Sequence, residues 1–336
     1  MFTTFNSFND ILEAEGMRKW FHFLFLEDQL NMFPKELADL PLRLVGFRAE
    51  TPWGSNLQGM ADQVADTANV VLELQRGERK CLHLRDWTAW EPKEDADLRD
   101  PDNIFLITPK QEPAGGPKKP ALIICPGGGY EVVSFQNEGT PIQIVAEKNG
   151  YAAFMMRYRV APSHYPDPQM DLLETIAYVR ANAEKYNVDP NRIGIVGFSA
   201  GAHLCASCAG LYQQLLPEGE PNAVVLGYPV ISFEAGTAHE GSVLALLGRD
   251  DRQMREKLSV ENMITADYPP TFAWACKDDG TVPCENTIRL DQKLSYYNVE
   301  HECHLYPTGG HGCGLAYENS AWSWSVDMFE FLRKVL

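Results

Sequence analysis

The pentapeptide Gly197-Phe198-Ser199-Ala200-Gly201 constrains what this chain can fold into more than any other feature. It follows the apolar run Ile193-Gly194-Ile195-Val196 and opens a second apolar stretch with helical spacing. A strand that passes into a helix across so few residues must turn sharply. Small flanking residues let the turn close, and the serine between them is held in a strained conformation with its hydroxyl above the sheet edge. The plainer alternative is a glycine-rich strand-to-helix turn whose serine only caps the helix. Either way the motif needs a parallel sheet around it. The pattern after residue 118 supplies one, with apolar runs at Ala121–Cys125, Ala152–Tyr158, Ile193–Gly197, Ala223–Leu226, Thr271–Cys276 and Glu302–Tyr306. Helical stretches separate them, among them Met170–Tyr186, closed by the turn residues Asp189-Pro190-Asn191. Strand and helix in alternation predict an α/β fold with a mostly parallel sheet and helices on both faces. The stretch Ile231–Pro269 exceeds an ordinary connection and holds helical pieces, which predicts a small cap near the carboxyl edge of the sheet.

The region before this pattern has a different texture. The first fifty residues hold eight of the sixteen phenylalanines, at positions 2, 5, 8, 21, 23, 25, 33 and 47, and so many aromatic rings require burial. Residues 1–112 therefore read as an aromatic-rich extension that packs on a main domain over 113–336, with a lid or a dimer arm as the sharper reading, so a homodimer stays open. A helix over 9–30 and strands near Asn69–Leu74, Lys80–Leu84 and Ile104–Thr108 are expected there.

Composition excludes some partners. Lys plus Arg number 29 against 46 for Asp plus Glu, a net charge of −17, which repels phosphate backbones and anionic lipid. Nucleic acid and membrane are not expected partners. The N-terminus MFTTFNSFND lacks a basic start, a long apolar core and a small-residue cleavage site, so no export signal is read there. A cytoplasmic location with free thiols is expected. Cys205 and Cys208 form a C-x-x-C inside an apolar helical run with no second pair at zinc-site spacing, and read as small core residues. No metal or cofactor is expected.

A serine hydroxyl attacks only when a base takes its proton, so a carboxylate and a histidine should follow Ser199 in that order. Asp278 and Asp279 both lie directly after the run Thr271–Cys276. Asp279 is favoured as the acid, since Asp278 is closer to the strand end and suits shaping the turn. His311 lies in the loop Thr308-Gly309-Gly310-His311-Gly312, where flanking glycines leave the imidazole room to reach Ser199. His301 and His304 fall on a strand and His203 lies four residues into the helix, positions better suited to packing or surface roles. Acyl transfer also needs N–H donors for an oxyanion. The loop Pro126-Gly127-Gly128-Gly129-Tyr130, after an early strand, can aim such groups, with the Ala200 N–H as the second donor. No Lys-Ser or Lys-Thr follows these glycines, which excludes a phosphate-binding P-loop.

Taken in order, PGGGY, YRVAP at 158–162, DPNRIGIVGFSAGAHL, GYPV at 227–230, PPTFAWACKDDGTVP and GGHGCGLA resemble the bifunctional feruloyl and acetyl xylan esterase-like branch of the α/β-hydrolases. The resemblance covers roughly 118–336. It implies an α/β-hydrolase fold, with Ser199 as nucleophile, Asp279 and His311 as its partners, and Gly128, Gly129 and Ala200 around the oxyanion. It further implies a carboxylic ester hydrolase that releases acetate from small acylated carbohydrates such as acetylated xylo-oligosaccharides. The sequence departs from many relatives at Ala202, where they carry glycine, and in its long N-terminal segment. Tyr130, Glu138 and His239 are candidates for the pocket wall, beside plainer packing or solvated roles. A serine peptidase or lactone hydrolase can use the same catalytic groups, and a non-catalytic binding protein on this fold is the remaining alternative.

Overall fold

The computed structural model describes residues 1–24, 38–45, 60–93, 97–111, 115–317 and 319–336. Its strands are β1 Cys81–His83, β2 Phe105–Ile107, β3 Lys119–Cys125, β4 Ala152–Arg157, β5 Val188–Phe198, β6 Ala223–Gly227, β7 Thr271–Cys276 and β8 His301–Tyr306. They form one eight-stranded sheet in the order β1-β2-β4-β3-β5-β6-β7-β8. From β4 to β8 every neighbouring pair is parallel, while β1 and β2 join antiparallel at one edge.

Alternation along the strands makes two cores. On β3, Ala121, Ile123 and Cys125 enter one apolar cluster while Leu122 and Ile124 enter the other. The first is closed by the helices Asp167–Ala181 and Ala200–Leu215, through Leu172, Ile176 and Leu204. The second is closed by Thr140–Lys148 and Trp324–Val335, through Ile142, Ala146, Trp324 and Phe331. This is the expected α/β layering with helices on both faces.

The N-terminal region differs from expectation in several places. The segment read as one helix over 9–30 forms two short helices, Phe8–Glu13 and Met17–Leu24, with Gly16 at φ +71° between them. Positions 25–30 lie outside the described residues, as do Phe25, Phe33, Phe47 and the proposed boundary at 112. Asn69–Leu74 is no strand but part of the helix Met60–Gln75, whose Val64, Ala68 and Val71 recur at i, i+4 and i+7 and are buried. The β-branched pair Val70-Val71 suggested a strand, and packing of this stripe overrides that preference. Asp189-Pro190-Asn191 lies within β5, where the register against β3 shifts between Lys119 and Ala121 and so accommodates the proline. Residues N-terminal to 112 also supply β1 and β2, so the extension completes the sheet as well as packing on it.

Its aromatic rings do much of that packing. Trp90 stacks on Phe105 at 4.6 Å and Phe105 on Phe135 at 5.5 Å, while Phe23 meets Trp90 edge-on at 5.3 Å. An ion-pair network fastens the same region. Arg79, 2% exposed, forms a two-pronged bond to Glu147 at 2.6 and 2.7 Å and reaches Glu73 at 2.5 Å. Burial alone would raise the Glu73 carboxyl, but hydrogen bonds from Lys110 and Arg79 outweigh it and hold the group below its ordinary 4.5. A depressed folded-state pKa gives stability that is present above the ordinary value and is lost as pH falls through the folded one. Replacing Arg79 with Met strands two partly buried carboxylates and should cost about 3 kcal/mol at pH 7. The difference from the parent in denaturant midpoint should shrink as the pH is taken below 4.5. An unchanged midpoint at pH 7 would show that the network holds nothing.

Between β6 and β7 the chain forms the helices Glu240–Leu247 and Arg252–Leu258 and the 3-10 turn Val260–Asn262. Asn286 pins the start of this segment. Its Oδ1 accepts the Ile231 and Ser232 N–H groups at 2.9 Å each, and its Nδ2 donates to the Thr237 carbonyl at 3.1 Å.

Candidate active site

Ser199 sits between β5 and the Ala200–Leu215 helix at φ +52° and ψ −120°, a conformation that L residues rarely adopt. Close approach on both sides explains the flanking glycines. A Cβ on Gly197 would lie 2.3 Å from the Gly201 carbonyl oxygen, and one on Gly201 would lie 2.2 Å from that of Cys125. Any larger side chain would push the turn away from the end of β3.

The Ser199 Oγ–H donates to His311 Nε2 at 2.8 Å, and His311 Nδ1–H donates to Asp279 Oδ2 at 2.7 Å. These directions follow from the network, since a carboxylate can only accept. Asp279 Oδ1 accepts the Thr281 and Val282 N–H groups at 2.9 and 2.8 Å, which fixes the carboxylate in its loop. Asp278 faces elsewhere and accepts the Gly310 and Gly309 N–H groups at 2.9 and 3.2 Å. Of the two neighbouring aspartates, one meets the imidazole and the other braces the loop that carries it. His301 and His304 stay away from this centre, hydrogen-bonded to Asp291 and Glu302.

The glycine loop lies over the serine. A Cβ on Gly127 would come 2.8 Å from Ser199 Cβ, and Gly128 and Gly129 have φ of +130° and +68°, conformations open to glycine. Among the described residues no protein group accepts a hydrogen bond from the N–H of Gly128, Gly129 or Ala200. Three donors therefore remain free beside Ser199, on the two sides where an oxyanion site would be built.

Two of the candidates for the pocket wall are buried and bonded to other protein groups, in keeping with the plainer packing role read for them. Tyr130 is 1% exposed, and its hydroxyl donates to His203 Nδ1 at 2.8 Å. The His203 Nε2–H donates to the Leu258 carbonyl at 2.8 Å, and the ring stacks on Phe233 at 4.3 Å, so this histidine joins the elbow helix to the cap. Burial lowers it to about 4, so it is neutral at pH 7. Glu138 is 3% exposed and accepts the Gly127 N–H at 2.7 Å and the Tyr228 O–H at 2.6 Å. Burial raises its pKa, opposed by those hydrogen bonds and by the nearby His311. Both carboxyl oxygens thus hold protein parts together. The third candidate, His239, caps the Glu240–Leu247 helix. Its Nδ1 accepts both the Ser242 O–H at 2.8 Å and the Ser242 N–H at 3.2 Å. The neutral ring then carries its proton on Nε2, which has no partner among the described residues. Burial lowers its pKa, and the nearby His311 lowers it further.

Sequence reading missed Tyr228. Its hydroxyl accepts the Gly314 N–H at 3.1 Å while donating to Glu138, and its ring meets His311 at 4.9 Å, so it links the glycine loop to the histidine loop. GYPV marked the place, but nothing local shows a tie to a carboxylate ninety positions earlier. Cys205 and Cys208 are buried free thiols, as expected of core residues. Among the described residues no three His, Cys, Asp or Glu side chains converge as metal ligands.

The chain is 35% identical to a solved acetyl ester-xyloside bifunctional hydrolase from Caldicellulosiruptor lactoaceticus, with a TM-score of 0.66 over 76% of this chain and 96% of that one. An α/β hydrolase from a Medee basin deep-sea metagenome library matches at 26% identity and a TM-score of 0.58, over 71% and 95% of the two chains. By sequence, an acetylxylan esterase of Xylanibacter ruminicola is 32% identical over 59% of this chain and 42% of its own length. The endo-1,4-beta-xylanase B of Butyrivibrio fibrisolvens is 31% identical over 62% of this chain and 34% of its own. The chain thus spans less than half the length of these two relatives. The BD-FAE family model matches residues 107–294, more than half of the chain. With the α/β-hydrolase fold and a serine at its sheet-edge turn, the chain belongs to the BD-FAE family.

Proposed function

We propose that this protein is a serine esterase that removes acetyl or other small acyl groups from carbohydrate esters through an acyl-enzyme. The observation that carries the reading is the unbroken hydrogen-bond chain from Ser199 through His311 to Asp279, beside the three free N–H groups. His311 takes the Ser199 proton as Oγ attacks the ester carbonyl, and Asp279 holds the imidazole with Nδ1 protonated. The N–H groups of Gly128, Gly129 and Ala200 receive the oxyanion. His311 then protonates the departing sugar oxygen, and water, activated by the same base, releases the acid. We assign His239 to substrate binding, its Nε2–H being free to donate to a sugar or ester oxygen.

The family membership and the names of the relatives support a carbohydrate ester, and the net charge of −17 favours a neutral one over polyanions. No helix among the described residues is long and apolar enough to cross a membrane. Acetate release from acetylated xylo-oligosaccharides should far exceed cleavage of aminoacyl anilides. Faster turnover of the anilides would assign the site to peptidase chemistry instead.

A further inference from the structure

Beside the glycine loop lies a cleft of about 840 Å3 lined by Asp97, Arg99, Asp100, Glu131, Pro162 and Leu244 among others. Its walls come from four separate parts of the chain, Pro162 lying in the loop after β4. Asp97, Arg99 and Asp100 belong to the N-terminal region, outside the 107–294 span of the family match. Glu131 follows the glycine loop directly, and Leu244 stands on the cap helix Glu240–Leu247. Two of these walls lead to the glycine loop. Glu131 is two residues from Gly129, and Ser242, two residues before Leu244, has its Oγ 4.0 Å from where a Gly129 Cβ would stand. His239, hydrogen-bonded to that Ser242, is close enough to feel the charges of His311 and Asp279 as well as that of Glu131.

The wall from the N-terminal region is fixed in place. Arg157 on β4, 3% exposed, donates from its guanidinium to the Leu98 carbonyl, so the loop is tied to the sheet from below. Within it, Asp97 Oδ1 accepts the Arg99 N–H at 2.8 Å and Asp100 Oδ1 the Asp102 N–H at 2.9 Å. Among the described residues, one oxygen of each carboxylate is thereby left for another donor.

Resting on the esterase reading, we propose that this cleft binds the sugar portion of the ester, and that the N-terminal region thereby selects a neutral oligosaccharide as leaving group. The volume suits it, since clefts of roughly 300–1,000 Å3 enclose ligands of several rings. Its chemistry suits it as well. Sugar hydroxyls donate well to carboxylates, and Asp97, Asp100 and Glu131 supply three of these with Arg99 as a further donor. Leu244, 46% exposed, and Pro162 offer apolar surface to the C–H faces of the rings. Three carboxylates against one guanidinium repel a uronate-bearing chain.

The test compares kcat/KM for acetylated xylotriose with that for p-nitrophenyl acetate, whose leaving group is too small to span the cleft. Leu244→Trp fills the cleft from an exposed helix position, and Asp100→Asn keeps the turn acceptor while weakening the other. In each variant the ratio of the two constants should fall by about tenfold or more. A ratio unmoved in both variants, or a parallel fall on both substrates, overturns the proposal and leaves the esterase reading standing. Parent enzyme that hydrolyses neither ester would overturn both.

Discussion

Ser199→Ala should lower kcat for acetate release by roughly a millionfold, to the level set by binding and the oxyanion donors alone. In the proposed mechanism Ser199 is the group that forms a covalent bond with the acyl carbon. With it removed, His311 has no hydroxyl to activate, and Asp279 orients a base without a nucleophile. His311→Ala should cost nearly as much. The double variant should be no worse than either single one, because the two groups act as one device and their losses do not add. Stability should hardly change. The substitution removes one hydrogen bond at a site 7% exposed and keeps the strained backbone, a difference of about 1 kcal/mol at most. Single-turnover acetate release and a thermal melt on the same samples decide the matter. More than about a hundredth of the parent rate in a folded Ser199→Ala protein would show that another group does the chemistry.

Much of this arrangement is legible in the sequence, because its signals are local. The elbow pentapeptide, the glycine loop after β3 and the glycine-flanked His311 each combine a conformational demand with a chemical one inside a few residues. The parallel strands are legible too, since strands covered on both faces are almost wholly apolar, as at Ala121–Cys125 and Thr271–Cys276. What stays hidden depends on distant partners. Tyr130 and Glu138 look like pocket residues by position, but the first is claimed by His203 and the second by Tyr228, 73 and 90 residues away. The Asn69–Leu74 stretch misleads for the opposite reason. Its local β preference is real, but the buried stripe from Val64 to Val71 decides for a helix. His239 shows both effects, for its position suggests a ligand contact while only the structure reveals the Ser242 bonds that fix its tautomer.

The neighbouring aspartates allow a sharper test, because similar substitutions a single residue apart should differ by orders of magnitude. In Asp279→Asn the side-chain oxygen remains the natural acceptor for the Thr281 and Val282 N–H groups, so the new amide NH2 turns towards His311. An NH2 cannot accept from Nδ1–H. The imidazole must instead place its proton on Nε2, and a protonated Nε2 cannot take the proton of Ser199. The loss should be roughly ten-thousandfold in kcat, with little change in fold. Asp278→Asn has no such consequence. One carbonyl oxygen still accepts from Gly310 or Gly309, the loop loses at most one bond, and the rate should fall less than about tenfold. Measured side by side on p-nitrophenyl acetate, the two variants separate a group that sets the tautomer of the base from one that braces its loop. Equal losses, or a larger loss at 278, would mean that the bond seen between Asp279 and His311 is not the one that orients the base during turnover.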